Sequence, residues 1–146
     1  MYDELSEHIV DADFDVDFES PKIGTGGTYT SELRSKDGTP VGTVHGQYRV
    51  ALTRPSDGEL MVHTLERIEL RDGELLVDGW STWANVYPGD TLYHPAVGVS
   101  GAYLGRRGFR EWRPVDLGRV AFARIGFFQN PIDRRASCRE RVSSPV

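Results

Sequence analysis

The chain has 146 residues, 38% of them hydrophobic and 10% aromatic, which suits one domain with a core of its own. Its formal net charge of −5 and sequence pI near 5.3, without any basic run, argue against a nucleic-acid partner. The single cysteine, Cys138, excludes an intrachain disulfide framework and fits a reducing cytoplasm; the acidic start MYDELSEHIVDADFDVDF does not read as a signal peptide, and no 18-residue apolar run is present to span a membrane.

Residues 8–18 alternate Val10, Ala12, Phe14, Val16 and Phe18 with Asp11, Asp13, Asp15 and Asp17. This period of two predicts a half-buried strand with the aspartates on its solvated face. A calcium site is the sharper reading of the aspartates and a poor one, because alternate residues of an extended strand do not wrap around one ion. Pro21 to Gly27 is a connection. A second strand over residues 28–35 ends at Lys36-Asp37-Gly38, where Asp-Gly is a strong hairpin signal. Residues 40–53 form a long third strand, with Gly42 and Gly46 read as bends or bulges. After the turn Arg54 to Gly58, strand four (59–70) places Leu60, Val62, Thr64, Ile68 and Leu70 on one face, interrupted by Glu66. Asp72-Gly73 leads to strand five (74–87), with Leu75, Val77, Gly79, Ser81 and Trp83 on one face and Leu76, Trp80 and Val86 on the other. The turn Pro88-Gly89-Asp90 follows. The remaining strands are 91–105, broken at Pro95 and Gly98, then 107–113 and 117–127.

Helical periodicity is poor throughout, and eight strands at even spacing predict an all-β protein: a single eight-stranded antiparallel up-and-down β-barrel with an internal cavity. The barrel domain is expected over residues 1–129. Residues 130–146 carry four arginines against two acids and read as a flexible basic tail. Cys138 lies there without a plausible partner base.

His8, His45, His63 and His94 form no H-x-x-x-H or HExxH pair, and one cysteine allows no zinc cluster by spacing. Nucleophile-elbow, Walker and dinucleotide fingerprints are absent. What remains is aromatic and polar decoration on inward faces: Tyr29, Trp83, Tyr93 or His94, Arg110 and Trp112. A buried Trp is most often simply core. Arg110 sharpens the reading, because it shares strand parity with Trp112 in the Gly-rich run GVSGAYLGRRGFREWR, residues 98–113. An inward arginine needs a carboxylate partner, and Glu7 and Glu66 are both candidates. A paired arginine in an aromatic cavity reads as a ligand site.

The segments GTGGTYTSEL, DGWSTWANV and YHPAVGVSGAYLGRRGFREWR resemble the spirotetronate cyclases of actinomycete polyketide pathways, of the abyssomicin type, over roughly residues 7–128. The resemblance implies an allene oxide cyclase-like barrel, homodimeric and cytoplasmic, without metal or cofactor. It implies an intramolecular [4+2] (Diels–Alder) cycloaddition between a conjugated diene and an exocyclic-methylene tetronate of a linear polyketide. By this resemblance Trp112 packs over the substrate, Arg110 lies deep in the barrel with Glu7 as its ion-pair partner, and Tyr29 and Trp83 line the cavity. Tyr93, His94 and Thr64 join them as substrate-binding positions; Thr64 and His94 stand where the abyssomicin type has tyrosines. A donor to the dienophile carbonyl is sought among His94, Tyr29 and Thr64, and Arg110 with Glu7 is expected to brace the floor. Two rivals share the scaffold: a cyclase for a polyether-type tetronate, and a non-catalytic carrier of a small apolar ligand.

Overall fold

The computed structural model describes residues 2–86 and 90–129. The expected tail with Cys138, and the Pro88-Gly89 turn, lie outside the described residues. The chain forms β1 (Tyr2–Phe14), β2 (Gly26–Arg34), β3 (Pro40–Thr53), β4 (Leu60–Leu70), β5 (Gly73–Thr82), the single helical turn α1 (Trp83–Val86), β6 (Leu92–Gly101), β7 (Arg107–Asp116) and β8 (Val120–Phe127). Each strand pairs antiparallel with its chain neighbours, and β8 returns to pair with β1, closing the barrel. Closure leaves no free sheet edge. Among the described residues no helix is long and apolar enough to cross a membrane.

The inward side chains stack in three levels. At one end Leu5, Leu33, Val44, Ile68, Leu75 and Ile125 form a dense apolar plug. At the other end Val50, Val62, Trp83, Val86 and Leu92 form a second cluster, with Tyr48, Trp112, Phe18 and Leu117 packed against it. Between the two lies a level of buried polar groups: Glu7, Ser31, Thr64, Glu66, His94 and Arg110. The period of two carries this arrangement. On β4 the inward set is Val62, Thr64, Glu66, Ile68 and Leu70, so one strand contributes to all three levels.

Three expectations need correction. First, β1 starts earlier than the aspartate alternation suggests, and its phase is different. Leu5 and Glu7 point in; the pairing with β2 then skips a residue between Ile9 and Asp11. The bulged residue is Val10, which is 61% exposed. Beyond Phe14 the chain leaves the sheet. There Asp17 Oδ1 accepts from the backbone N–H of Glu19 at 3.0 Å, and Asp15 Oδ1 accepts from that of Gly26 at 2.6 Å. Those aspartates shape turns and do not extend a strand. Second, Trp83 sits on α1 and not on β5, although it is buried as expected. Third, Gly46 pairs in register on both sides, without a bulge, and leaves space for the Tyr29 ring; beside Gly42 the expected irregularity is present, because the pairing with β2 skips Val41.

The Gly-rich run folds back on the end of β6. Gly98 N–H donates to the Arg106 carbonyl at 2.7 Å, and Gly105 N–H donates to the Gly98 carbonyl at 3.0 Å. This carries Tyr103 inward to stack on Phe127, ring centroids 4.7 Å apart, and to share a hydroxyl contact of 3.1 Å with Tyr2. A Cβ on Gly98 would overlap the Tyr103 carbonyl. Gly98→Ala is therefore expected to destabilise the barrel by about 1–3 kcal/mol. Denaturant midpoints read this, with Ser56→Ala on the exposed β3–β4 turn as a neutral reference.

Candidate functional site

The polar level is organised by Arg110, which is 1% exposed. Its Nε donates to Glu66 Oε1 at 3.0 Å and its Nη2 to Glu66 Oε2 at 3.1 Å, a two-pronged pair. Nη2 also lies 2.6 Å from Glu7 Oε1, a close approach without good hydrogen-bond geometry. Tyr29 Oη donates to Glu66 Oε2. The register explains how it reaches: Tyr29 lies opposite Gly46, and Gly46 lies opposite Glu66. A side chain at position 46 would occupy the space of the Tyr29 ring. The glycine lets the ring cross β3 to the carboxylate on β4.

The two carboxyls are not equivalent. Burial pushes the Glu66 carboxyl up, but the Arg110 charge and its hydrogen bonds, with the Tyr29 hydroxyl, outweigh this and hold it below the usual glutamate range. Burial pushes the Glu7 carboxyl up as well; Arg110 opposes this only partly, the Glu66 charge adds to it, and the net direction is upward. Burial drives the Tyr29 phenol well above its ordinary range, with Glu66 reinforcing it. Burial would lower Arg110, yet Glu66 and Glu7 keep it firmly cationic. His94 is driven down by burial, which outweighs the upward pull of Glu66, with the Arg110 charge adding a lesser downward push. It is a neutral imidazole at physiological pH.

Above this floor opens a narrow cavity between the aromatic walls of the barrel. Glu7, Tyr29, Glu66 and Arg110 form its base; Tyr48, Val62, Thr64, Trp83 and Trp112 form its walls. Phe14 and Phe18 narrow the mouth: Phe18 rests against Trp83 with ring centroids 5.9 Å apart, and Phe14 against Tyr48 at 5.4 Å. The Arg110 guanidinium carbon lies 6.0 Å from the centre of the Trp112 ring. Besides Glu7 Oε1, three cavity-lining groups among the described residues keep a buried polar atom without a hydrogen-bond partner: Tyr48 Oη, Trp112 Nε1 and Arg110 Nη1. Each can donate. Buried donors left unmade are destabilising, so each calls for an acceptor oxygen from a water or a bound molecule.

Of the residues singled out from sequence, Glu7, Tyr29, Thr64, Trp83, Arg110 and Trp112 converge on this cavity. Both carboxyls proposed for Arg110 reach it, with Glu66 making the two hydrogen bonds and Glu7 a close contact of 2.6 Å. His94 is buried in the polar level but packs its ring against Gly79 and does not line the cavity. Tyr93 is a correction. It is 52% exposed on the outer face and stacks on Phe109 at 5.6 Å. Adjacent strand residues point to opposite sides, and the register sets His94, not Tyr93, beside Arg110 inside. Tyr29, expected as a possible carbonyl donor, has its hydroxyl committed to Glu66. Sequence reasoning missed Tyr48 and the mouth residues. Tyr48 was accessible by parity, since it alternates with Val44, Gly46 and Val50 on the inward face of β3.

Comparison with known proteins agrees with this architecture. The family model described as allene oxide cyclase barrel like domain matches residues 7–127. Among solved structures, the chain is similar to AbnU, described as an exo-specific intermolecular Diels-Alderase, with 28% identity, a TM-score of 0.78, and coverage of 84% of this chain and 90% of that one. It is also similar to a nonspecific heme-binding cyclase that catalyses [4+2] cycloaddition during neoabyssomicin biosynthesis, with 24% identity, a TM-score of 0.80, and coverage of 89% of this chain and 64% of that one. A third is the Diels-Alderase AbmU from Streptomyces koyangensis, with 23% identity, a TM-score of 0.77, and coverage of 92% of this chain and 69% of that one. The last two, at those identities, speak for the fold alone. No curated protein sequence matches the chain. The family match runs from the strand that carries Glu7 to the end of the strand that closes the barrel, and so the chain belongs to the allene oxide cyclase barrel like family.

Proposed function

We propose that this barrel is a [4+2] cyclase acting on a linear polyketide, joining a conjugated diene to an exocyclic-methylene tetronate within one chain to give a spirotetronate. The observation that carries the reading is the cavity itself: aromatic walls over a charge-compensated floor, with Tyr48 Oη, Trp112 Nε1 and Arg110 Nη1 lacking acceptors. The likeness to AbnU, described as an intermolecular Diels-Alderase and 28% identical over most of both chains, supports the [4+2] chemistry.

A pericyclic reaction needs no nucleophile and no proton transfer. Its barrier is largely that of bringing two ends of a flexible molecule into one pose, and holding a near-attack geometry is worth up to ~7–11 kcal/mol. Trp83 and Trp112 supply flat, rigid walls against which a folded chain fits, and Phe18 and Leu117 shield it from water at the mouth. Donors aimed at the carbonyl conjugated to the alkene draw electron density from it as the transition state forms. Tyr48 is a wall donor for this task, because its hydroxyl is free; Thr64 stands directly opposite it on β4. Arg110 with Glu66 braces the floor. In this reading the enzyme is cytoplasmic, works without a cofactor, and pairs with a second copy through the outer face bearing Leu76, Trp80, Tyr93 and Val97.

The test is a time course of a linear diene–tetronate analogue with and without the protein, read by chiral chromatography. Faster formation of a single spiro stereoisomer is the expected result. An unchanged rate with saturable binding would instead leave a carrier. Acceleration only when diene and alkene are supplied as separate molecules would replace the intramolecular reading by an intermolecular one. Trp112→Ala is expected to slow the cyclisation roughly 100-fold and to release minor stereoisomers, since a pose displaced by about 1 Å costs that much. Tyr48→Phe is expected to lower kcat by about 10- to 100-fold with the thermal midpoint unchanged. A full rate in Tyr48→Phe would remove Tyr48 from the mechanism.

A further inference from the structure

The floor of the cavity holds one cation and two carboxyls. Arg110 gives its Nε and Nη2 hydrogen bonds to Glu66, at 3.0 and 3.1 Å, and Glu66 also takes the Tyr29 hydroxyl. Glu66 is thus served by three donors and is the ionised partner. Glu7 receives the 2.6 Å approach of Nη2 to Oε1, an atom left without a hydrogen bond of good geometry, and the neighbouring Ser31 hydroxyl. The groups facing Glu7 are Arg110 from β7, Glu66 from β4 and Tyr29 and Ser31 from β2, with His94 from β6 on the far side of Glu66 and Arg110. Of these Arg110 is the cation and Glu66 the anion; Tyr29 and His94 are neutral. With Glu66 ionised, a second buried carboxylate would leave the cluster with an uncompensated negative charge, which is strongly unfavourable. A proton on Glu7 restores neutrality. The upward direction of the Glu7 carboxyl agrees with this count.

We propose that Glu7 is a neutral carboxylic acid that lines the cavity floor and donates its O–H to the carbonyl oxygen conjugated to the reacting alkene, beside the free N–H of Arg110 Nη1. Oε1 lies against Arg110, so Oε2 carries the proton. Glu7 is then a catalytic residue and not a structural counter-ion, a role that rests on the cyclase reading above. The proton does not transfer. The two new carbon–carbon bonds form from the π electrons of diene and alkene, the product has the composition of the substrate, and the hydrogen bond strengthens only as the carbonyl gains charge in the transition state. A carboxylic acid is a stronger donor than a phenol or an indole, and the surrounding burial keeps water from competing for it.

The sign of the pH dependence decides the matter. A carboxyl raised on folding binds its proton more tightly in the folded state than in the unfolded chain. Its contribution to stability is present at low pH and is lost as pH rises from the ordinary glutamate value through the raised one. A carboxylate counter-ion does the reverse. The experiment has two readouts on wild type and Glu7→Gln, which keeps shape and an N–H donor but cannot ionise. The first is stability by denaturant across pH 5 to 9, together with the infrared carbonyl stretch of a protonated carboxyl in the wild-type minus Glu7→Gln difference. The expected result is that stretch at neutral pH, and a wild-type stability that declines relative to Glu7→Gln as pH rises. The second is the rate with the linear diene–tetronate analogue. Wild-type rate is expected to fall over the same pH interval, while Glu7→Gln is flat and roughly 10-fold slower at its plateau, the amide being the weaker donor. Glu7→Leu, with no donor, should be slower still. A wild-type rate and stability that rise with pH and then level off, without the protonated-carboxyl stretch, would overturn the proposal. The same holds for a pH profile that Glu7→Gln leaves unchanged. No acceleration by the wild type overturns the cyclase reading, and the donor role with it; the first readout still reports the charge on Glu7 separately.

Discussion

A guanidinium that is 1% exposed cannot stand alone in a protein interior, and the rest of this barrel follows from that constraint. Arg110 on β7 needs Glu66 on β4 and Glu7 on β1. Glu66 takes a third donor, Tyr29 on β2, whose ring requires an empty position at Gly46 on β3. His94 on β6 sits opposite Arg110 and requires an empty position at Gly79 on β5. One buried charge thereby sets a condition on seven of the eight strands. A slip of one residue in any of them would turn its member outward and leave a charge or a donor unmatched inside.

This level also divides the interior into two parts with different physics. Below it, mostly aliphatic side chains pack a core closed at its end by Tyr103 and Phe127. Above it aliphatic residues share the walls with Tyr48, Trp83 and Trp112 and leave a cavity. The floor lets the two coexist, because it closes the plug with groups that hydrogen-bond sideways. The wall donors on Tyr48 and Trp112 add nothing to stability as they stand; each buried donor without a partner is worth a loss of about 1–3 kcal/mol. A fold optimised for stability alone would have apolar groups there. Their presence on the cavity surface is the mark of a site shaped for a molecule with oxygens.

Much of this was legible in the sequence because strands report themselves directly. Alternation on β4 gave its inward face residue by residue, including the interruption at Glu66. Parity tied Arg110 to Trp112, and the cost of a buried cation pointed to Glu7 and Glu66 without any structure. What was not legible depends on register between strands. The bulge at Val10 shifts the phase of β1, and nothing in HIVDADFDVDF announces it, because the aspartates alternate cleanly on either side. Tyr93 and His94 are neighbours of similar chemistry, and only the pairing with β7 decides which one enters. Gly42 and Gly46 look like bends in a sequence; the reason for Gly46 is a ring that arrives from another strand. Trp83 completed the alternation of β5 so well that its helical turn left no trace in the pattern. Tyr48 shows the remaining gap. Its parity was plain, but that its hydroxyl finds no partner is a three-dimensional fact.

The seam between β1 and β8 has a bearing on how the molecule comes into being. The first strand of the chain finds its partner in the last, and the three ionisable members of the floor stand at positions 7, 66 and 110, far apart in the chain. Loops of that length close slowly, and the contacts that reward closure arrive only at the end. During synthesis Glu7 emerges long before the arginine that faces it, so β1 must wait with one edge unpaired until β8 has left the ribosome. The cavity is therefore the last part of the molecule to exist, and it exists only when the whole ring does.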